Sequence, residues 1–326
     1  MFAVTSARKL AGRRLSAFHE EVINGLKASQ KYLQSKYFYD ETGDKLFQQI
    51  MASPEYYLTR CEMEIMQHQS PAIADCFEGQ PFDLVELGPG DATKSWHLLR
   101  ELMKRKAPFT YYPIDISSQV IEWLDEKLPA GLPGIQVQGL NGEYMDKMEY
   151  VEQISQRRKI VLFMGANIGN MTMQQAMIFC RQLHDRMRPG DLLLIGFDLK
   201  KDPATILAAY NDKQGVTRAF NLNLLKRINN ELDANFDVDQ FTHYPVYDPG
   251  TGSCKSYLIS KIAQDVHIGE DTVIHFKANE SIYMEISQKY SLEDTYYLAR
   301  QSGFKPVHEF FDAKNMFADI LWERMD

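Results

Sequence analysis

Residues 82–94, Phe-Asp-Leu-Val-Glu-Leu-Gly-Pro-Gly-Asp-Ala-Thr-Lys, constrain this chain more than any other stretch. Leu84, Val85 and Leu87 form a short apolar run that ends at Gly88-Pro89-Gly90, and Trp96, Leu98, Leu99 and Leu102 then recur at helical spacing. The pattern predicts a buried strand, a glycine turn and a helix. Gly88 and Gly90 let backbone come close to a ligand, and the first turn of the helix offers N–H groups without intrahelical partners. Glu86 places a carboxylate just before the turn.

Two kinds of cofactor use such a site. A dinucleotide fingerprint needs G-x-G-x-x-G, and the third position here is Thr93. A strand ending in an acidic residue and followed by G-x-G, with no third glycine, resembles motif I of the S-adenosylmethionine-dependent methyltransferases. An ordinary Gly-Pro-Gly turn between strand and helix stands beside that reading.

From residue 82 onward strand and helix alternate. Residues 111–115 read as a second strand ending in Asp115, residues 134–137 as a third closing at Asn141-Gly-Glu-Tyr144, residues 160–164 as a fourth ending at Gly165-Ala-Asn-Ile-Gly-Asn170, and residues 191–197 as a fifth. Four βα steps with short connections imply a parallel sheet covered on both faces, in which ligands bind beyond the carboxyl ends of the strands. Ahead of this region, Thr59 is expected to cap a helix over 62–74, with Glu62 in the capping-box position. After Lys200 the rhythm changes. Residues 203–210 and 217–232 read as helices, and 236–247, 255–262, 266–276 and 281–290 as strands of an inserted β-rich unit. A helix over 291–302 and two closing strands, 305–311 and 316–323, complete the chain.

A length of 326 residues suffices for one large domain or two smaller ones. The net charge of −8 argues against a nucleic-acid surface or an anionic membrane as the main partner. No apolar run reaches the ~18 residues of a membrane span. Cys61, Cys76, Cys180 and Cys254 are scattered without metal-ligand spacing, so no metal is expected, and they read as reduced thiols of a cytoplasmic protein. Arg8, Lys9, Arg13 and Arg14, with no acid in the first 19 residues, have the look of a transit peptide, but the pattern runs on through Glu20, Glu21 and Leu26 as a solvated helix.

Several residues carry candidate chemistry. Asp115 can accept both hydroxyls of a ribose, or serve a helix terminus. Glu143 could meet the exocyclic amine of an adenine and Tyr144 its ring face. Lys94 is badly placed for a helix dipole, which makes sense if it meets the carboxylate of a methionine-like tail; a solvated lysine is the alternative. Glu285 and Ser287, two apart on a strand, share one face and can grip a polar ring such as imidazole, or be an ordinary exposed strand face. Tyr32, Tyr37, Tyr39, Tyr56 and Tyr57 crowd two loops ahead of the glycine turn, as packing or as pocket lining.

Taken together, these residues resemble the histidine-specific methyltransferase family, the L-histidine Nα-methyltransferases of ergothioneine biosynthesis. The resemblance rests on Tyr37-Phe-Tyr-Asp40, Pro54-Glu-Tyr-Tyr-Leu-Thr-Arg60, Val85-Glu-Leu-Gly-Pro-Gly90 with Lys94, Ile168-Gly-Asn170, Ala209-Tyr210-Asn-Asp212, Phe220-Asn221 and Glu285-Ile-Ser287, in that order from about residue 35 onward. It implies an α/β fold: a Rossmann-like class I methyltransferase sheet that binds S-adenosyl-L-methionine (62–199 and 288–326), with a second, smaller α+β domain for the substrate (1–61 and 200–287). The amino acid would lie between them. By the family pattern Tyr56, Gly88, Lys94, Asp115, Glu143 and Tyr144 would hold the cofactor. Asn170 and Tyr210 would take the substrate carboxylate, Glu285 and Ser287 the imidazole, and Tyr39 would sit beside the reacting amine. The implied reaction is methylation of the α-amino group of L-histidine, to the trimethylated betaine hercynine, with S-adenosyl-L-homocysteine as by-product. A same-family enzyme for another amino acid or aromatic amine is the alternative. Gly-Pro-Gly stands where the family has Gly-Ser-Gly, and Glu143-Tyr144 where it has Asp-Phe. Ser256 stands where a methionine is usual on the side-chain pocket wall, which implies a larger or more polar pocket. No obligate protein partner is expected.

Overall fold

In a computed structural model the structure describes residues 17–77 and 79–326. The expected N-terminal helix is present over residues 17–27 (α1), and its basic stretch before residue 17 lies outside the described residues. In chain order there follow α2 (Glu41–Ala52), α3 (Leu58–Asp75), β1 (Phe82–Leu87), α4 (Ser95–Lys104), β2 (Phe109–Asp115), α5 (Ser118–Gly131), β3 (Leu140–Asn141), α6 (Tyr144–Ile154), β4 (Arg158–Phe163), α7 (Met173–His184) and β5 (Leu192–Asp198). The second half supplies α8 (Pro203–Ala209), α9 (Val216–Leu232), β6 (Phe241–Asp248), β7 (Ser253–Ser260), β8 (Gln264–Ile268), β9 (Thr272–Phe276), β10 (Ser281–Gln288), α10 (Leu292–Gln301), β11 (Phe304–Phe311) and β12 (Phe317–Arg324). The chain divides into two compact units, one comprising the described residues up to Tyr57 with Asp202–Ser287, the other Leu58–Lys201 with Gln288–Asp326.

The larger unit carries a seven-stranded sheet in the order β11-β12-β5-β4-β1-β2-β3. β1 to β5 run parallel, and β12 enters antiparallel beside β5 with Asp319 opposite Gly196. Largely apolar runs make this sheet: every residue of β1 and of β5 is buried, Asp83 and Glu86 included, as a sheet covered on both faces demands. On one face Val85, Leu87, Val161, Phe163, Leu193, Ile195 and Ile320 pack against Met148 and Val151 of α6, Ala176, Cys180 and Leu183 of α7, and Leu298 of α10. The opposite face carries Glu86, Gly196 and Asp319 at alternating positions.

The smaller unit has a three-stranded sheet, β10-β7-β6, and a two-stranded hairpin, β8-β9. Its core joins Phe18, Val22 and Leu26 of α1 to Phe220, Leu224, Leu225 and Ile228 of α9 and to Leu258, Ile282 and Met284 of the sheet.

Four local expectations give way. Residues 134–137 make only one bridge to the sheet, Val137 to Tyr111, and the ladder proper is Leu140–Asn141 at the sheet edge. Residues 266–276 are two strands, because the turn Gly269-Glu-Asp271 folds the segment into a hairpin. α3 begins at Leu58, so Thr59 lies inside the helix and Glu62 is not a cap: its carboxylate is buried and bound elsewhere. Ser256 is buried on the face of β7 shared with Cys254 and Leu258. Tyr257, one residue on, turns to the other face, where its ring lies 5.7 Å from that of Tyr283 and so on the side of Glu285 and Ser287. The unbroken β6–β7 register from 253 to 260 leaves no bulge to reverse this, so Ser256 does not line that face.

Candidate functional site

In the larger unit the candidate cofactor residues gather at the carboxyl ends of β1 to β4. Gly88 donates its N–H to Ile114 O at 2.9 Å and takes φ +69°. A Cβ there would stand 2.6 Å from the Tyr144 hydroxyl, and the positive φ favours glycine at the turn. Asp115 ends β2, and its Oδ1 accepts from Ser117 N at 2.8 Å at the entry to α5, where the Ser117 side chain itself caps the helix. Burial raises the Asp115 carboxyl above the ordinary aspartate value, against the pull of the Ser117 and Ile116 N–H groups. Asn141 donates to Asp115 O and Ile116 O, both at 3.0 Å, and Gly142 N donates to Asp115 O. These bonds bring Glu143, the N-cap of α6, and Tyr144, its first residue, beside Asp115. Burial, then the Asp115 and Glu143 charges, push the Tyr144 phenol up to about 12.

Glu86 is 3 % exposed and accepts from the Tyr111 hydroxyl at 2.5 Å. Burial raises its carboxyl to about 7, opposed by hydrogen bonds from Tyr111 and Ser95 and by the Lys94 charge. Lys94 stands at the N-cap of α4 and pairs with Glu62. Burial would depress this ammonium, but the Glu62 carboxylate, then Asp319 and Glu86, outweigh it and its pKa lies above the ordinary lysine value. After β4 the chain turns through Gly165 and Ala166, both at positive φ, into a short 3-10 helix, Asn167–Asn170. Asn170 is exposed at its end, and Ile168 O accepts from the Tyr290 hydroxyl.

In the smaller unit the candidate substrate residues form a second group. Glu285 accepts from Asn221 Nδ2 at 3.3 Å. The Ser287 and Tyr210 hydroxyls are 2.6 Å apart, and the Tyr210 ring meets that of Tyr56 edge-on at 6.2 Å. Tyr39 packs edge-on to Phe47 and Phe220, at 5.5 and 5.8 Å between centroids. Half of Tyr39 is open to solvent; the burial of the remainder, followed by the Glu285 and Asp44 charges, raises its pKa. The loop is pinned behind it. Asp40 caps α2 through Gly43 N at 2.6 Å and accepts from Asn223 of α9 at 2.8 Å.

Thus Gly88, Lys94, Asp115, Glu143 and Tyr144 belong with Asn170 to the larger unit, and Tyr39, Tyr56, Tyr210, Glu285 and Ser287 to the smaller. Sequence reasoning placed three further residues outside the site, Glu62 among them as a helix cap. Asn221 holds Glu285, and Glu62 holds Lys94. The Asn167 amide lies within 3.6 Å of the space above both Gly88 and Gly165. The available signal for Asn221 was a polar residue at helical spacing from Leu224, Leu225 and Ile228, on an otherwise apolar helix face.

A glycine turn, an acid at the end of β2 and an aromatic residue after β3, on a parallel sheet closed by an antiparallel last strand, define a nucleoside-cofactor methyltransferase. The chain belongs to the S-adenosylmethionine-dependent, histidine-specific methyltransferase family, whose model matches residues 18–324. It is 33 % identical over 302 residues to a histidine N-alpha-methyltransferase of Mycolicibacterium smegmatis, covering 92 % of this chain and 93 % of that one. To the enzyme of the same description from Mycobacterium tuberculosis it is 35 % identical over 275 residues, 84 % of each chain. It is 29 % identical to ergothioneine biosynthesis protein 1 of Neurospora crassa over 87 % of this chain and 32 % of that one. The enzyme class and the cofactor, S-adenosyl-L-methionine, follow from the family. Among the described residues no helix is long and apolar enough to cross a membrane.

Proposed function

We propose that the enzyme methylates the α-amino group of L-histidine, through to the trimethylated betaine hercynine. The observation that carries this reading is one face of β10. It presents the Glu285 carboxylate, oriented by Asn221, and two residues on the Ser287 hydroxyl, oriented by Tyr210. A neutral imidazole has one N–H donor and one nitrogen acceptor. A carboxylate answers the first and a hydroxyl the second, so this pair suits histidine better than an apolar side chain. The two mycobacterial relatives are named for methylation of the histidine α-nitrogen, which supports this reading.

The donor set of the larger unit fits the cofactor. Gly88 keeps clear the space that a side chain would fill, Asp115 offers a carboxylate to ribose hydroxyls, Glu143 and Tyr144 offer an acceptor and a ring face to an adenine, and Lys94 offers an ammonium to the methionine carboxylate. Bound S-adenosylmethionine supplies an already activated methyl group on its sulfonium. The protein's work is therefore alignment, which can contribute roughly 7–11 kcal/mol to lowering the barrier. Tyr39, its phenol pKa raised, stays protonated at neutral pH and acts as a hydrogen-bonding partner of the substrate amine rather than as its base. Asn170, with Tyr210, is assigned to the substrate carboxylate, and Tyr56 to the cofactor.

Mass spectrometry of L-histidine incubated with the protein and S-adenosylmethionine tests the proposal. One, two and three added methyl groups on the α-nitrogen are expected. Methylation of another amino acid or an aromatic amine while histidine stays unchanged would overturn it.

A further inference from the structure

Three carboxyl groups and one ammonium meet beneath the glycine turn of the larger unit. Glu62, from α3, is 1 % exposed. Its Oε2 pairs with Lys94, and its Oε1 accepts from Gly165 N at 2.6 Å. Asp319, on β12, is wholly buried, and neither of its oxygens meets a donor among the described residues. Its Oδ1 and the Glu62 Oε1 both border the space above Gly196, and the two acids act on each other there. The room for this contact comes from Gly196, Asp319's partner on β5: a Cβ at 196 would collide with Glu62 Oε1 and reach 3.1 Å from Asp319 Oδ1. Glu86 adds its charge to the field at Lys94.

Burial, then the Glu62 charge, place the Asp319 carboxyl well above the ordinary aspartate range. We infer that Glu62 is a positioning residue for cofactor binding: held by Gly165 N–H on one oxygen, it fixes the Lys94 ammonium with the other for the carboxylate of the cofactor's amino-acid tail. The inference rests on Lys94 being a cofactor residue. Only a carboxylate accepts from Lys94 and Gly165 together; an amide at 62 presents an NH₂ group to one of those donors.

Two nucleosides separate the possibilities by titration calorimetry. S-adenosylhomocysteine carries the amino-acid tail, and 5′-methylthioadenosine lacks it while filling the nucleoside end. Lys94→Met and Glu62→Gln are each expected to weaken S-adenosylhomocysteine by about tenfold or more, the loss of a charge-assisted hydrogen bond, and to shift methylthioadenosine by less than about threefold. In the double variant Glu62→Gln adds nothing to Lys94→Met, because a residue that acts through another has no effect once that other is gone. The double variant also removes the donor stranded against the new amide, so it reads the coupling even if Glu62→Gln alone fails to fold. Asp319→Asn, which leaves the Gly165 and Lys94 contacts of Glu62 in place, costs less than about threefold. A full loss in Lys94→Met with none in Glu62→Gln overturns the positioning role, as do additive losses in the double variant or equal losses for both nucleosides. Undiminished binding by Lys94→Met removes Lys94 from the cofactor site, and the positioning role with it.

Discussion

Asn221 Nδ2 donates to Glu285 Oε1 at 3.3 Å and, through its second hydrogen, to Thr217 O at 3.1 Å. Two acceptors on one side of the amide fix which end is nitrogen. The Asn221 Oδ1 is left buried without a partner, the cost of holding a carboxylate on the open face of a strand. Glu285→Ala should therefore raise KM for histidine about 30-fold or more, with S-adenosylhomocysteine affinity nearly unchanged. Asn221→Ala should raise KM less, by about tenfold, because Glu285 remains but loses its guide. Steady-state kinetics check both, and normal KM in Glu285→Ala removes the carboxylate from the substrate site.

The 2.6 Å contact between the Tyr210 and Ser287 hydroxyls links groups expected to hold opposite ends of one amino acid. Tyr210→Phe and Ser287→Ala should then be non-additive. A coupling of about 1 kcal/mol in kcat/KM is expected from the double-mutant cycle, and independent effects would show that the two hydroxyls act separately.

Asp115→Ala should abolish measurable S-adenosylhomocysteine binding by calorimetry. It should also lower stability by about 1 kcal/mol, since Ser117 N–H loses its acceptor. Unchanged affinity in a folded variant would leave Asp115 with only the turn.

Glu86 gives the enzyme a pH signature. Its folded-state carboxyl sits at about 7, above its ordinary value of 4.5. The folded state therefore holds this proton more tightly than the unfolded chain, and the stability it contributes is full below about pH 4.5 and lost as pH rises through 7. Glu86→Gln should remove that dependence. Relative to the parent it gains roughly 3 kcal/mol between pH 4.5 and 8, read by denaturant unfolding at several pH values. Parallel stability–pH curves would contradict the assignment.

Ser256→Met restores the residue usual in the family at this position in the sequence, but Ser256 is 1 % exposed on the face of β7 away from Glu285. The substitution should destabilise the smaller unit by about 1–3 kcal/mol through overpacking and leave the preference among amino acids unchanged. A shift in substrate preference would place position 256 on the pocket.

The parallel sheet was legible because its strands are short, largely apolar runs, and the turn at Gly88 because its positive φ favours glycine. The third strand was misplaced where the sheet runs out: at an edge the ladder is two residues long, and an apolar stretch such as 134–137 carries no mark of which residues pair. Glu62 was read through Thr59, three residues away, whereas its partners Lys94 and Gly165 are 32 and 103 residues distant. Local rules cannot see such pairs. Ser256 shows the same limit across a sheet, where one step in register reverses the side on which a residue stands.

The core of the smaller unit joins Phe18, Val22 and Leu26 to Phe220, Leu224 and Leu225, with the entire first stretch of the larger unit encoded between them. At a synthesis rate of about 5–20 residues per second, the apolar stripe of α1 waits roughly 10–40 s on the ribosome before its partner helix exists. Throughout that interval the nascent chain carries an amphipathic segment that cannot yet close its own hydrophobic core.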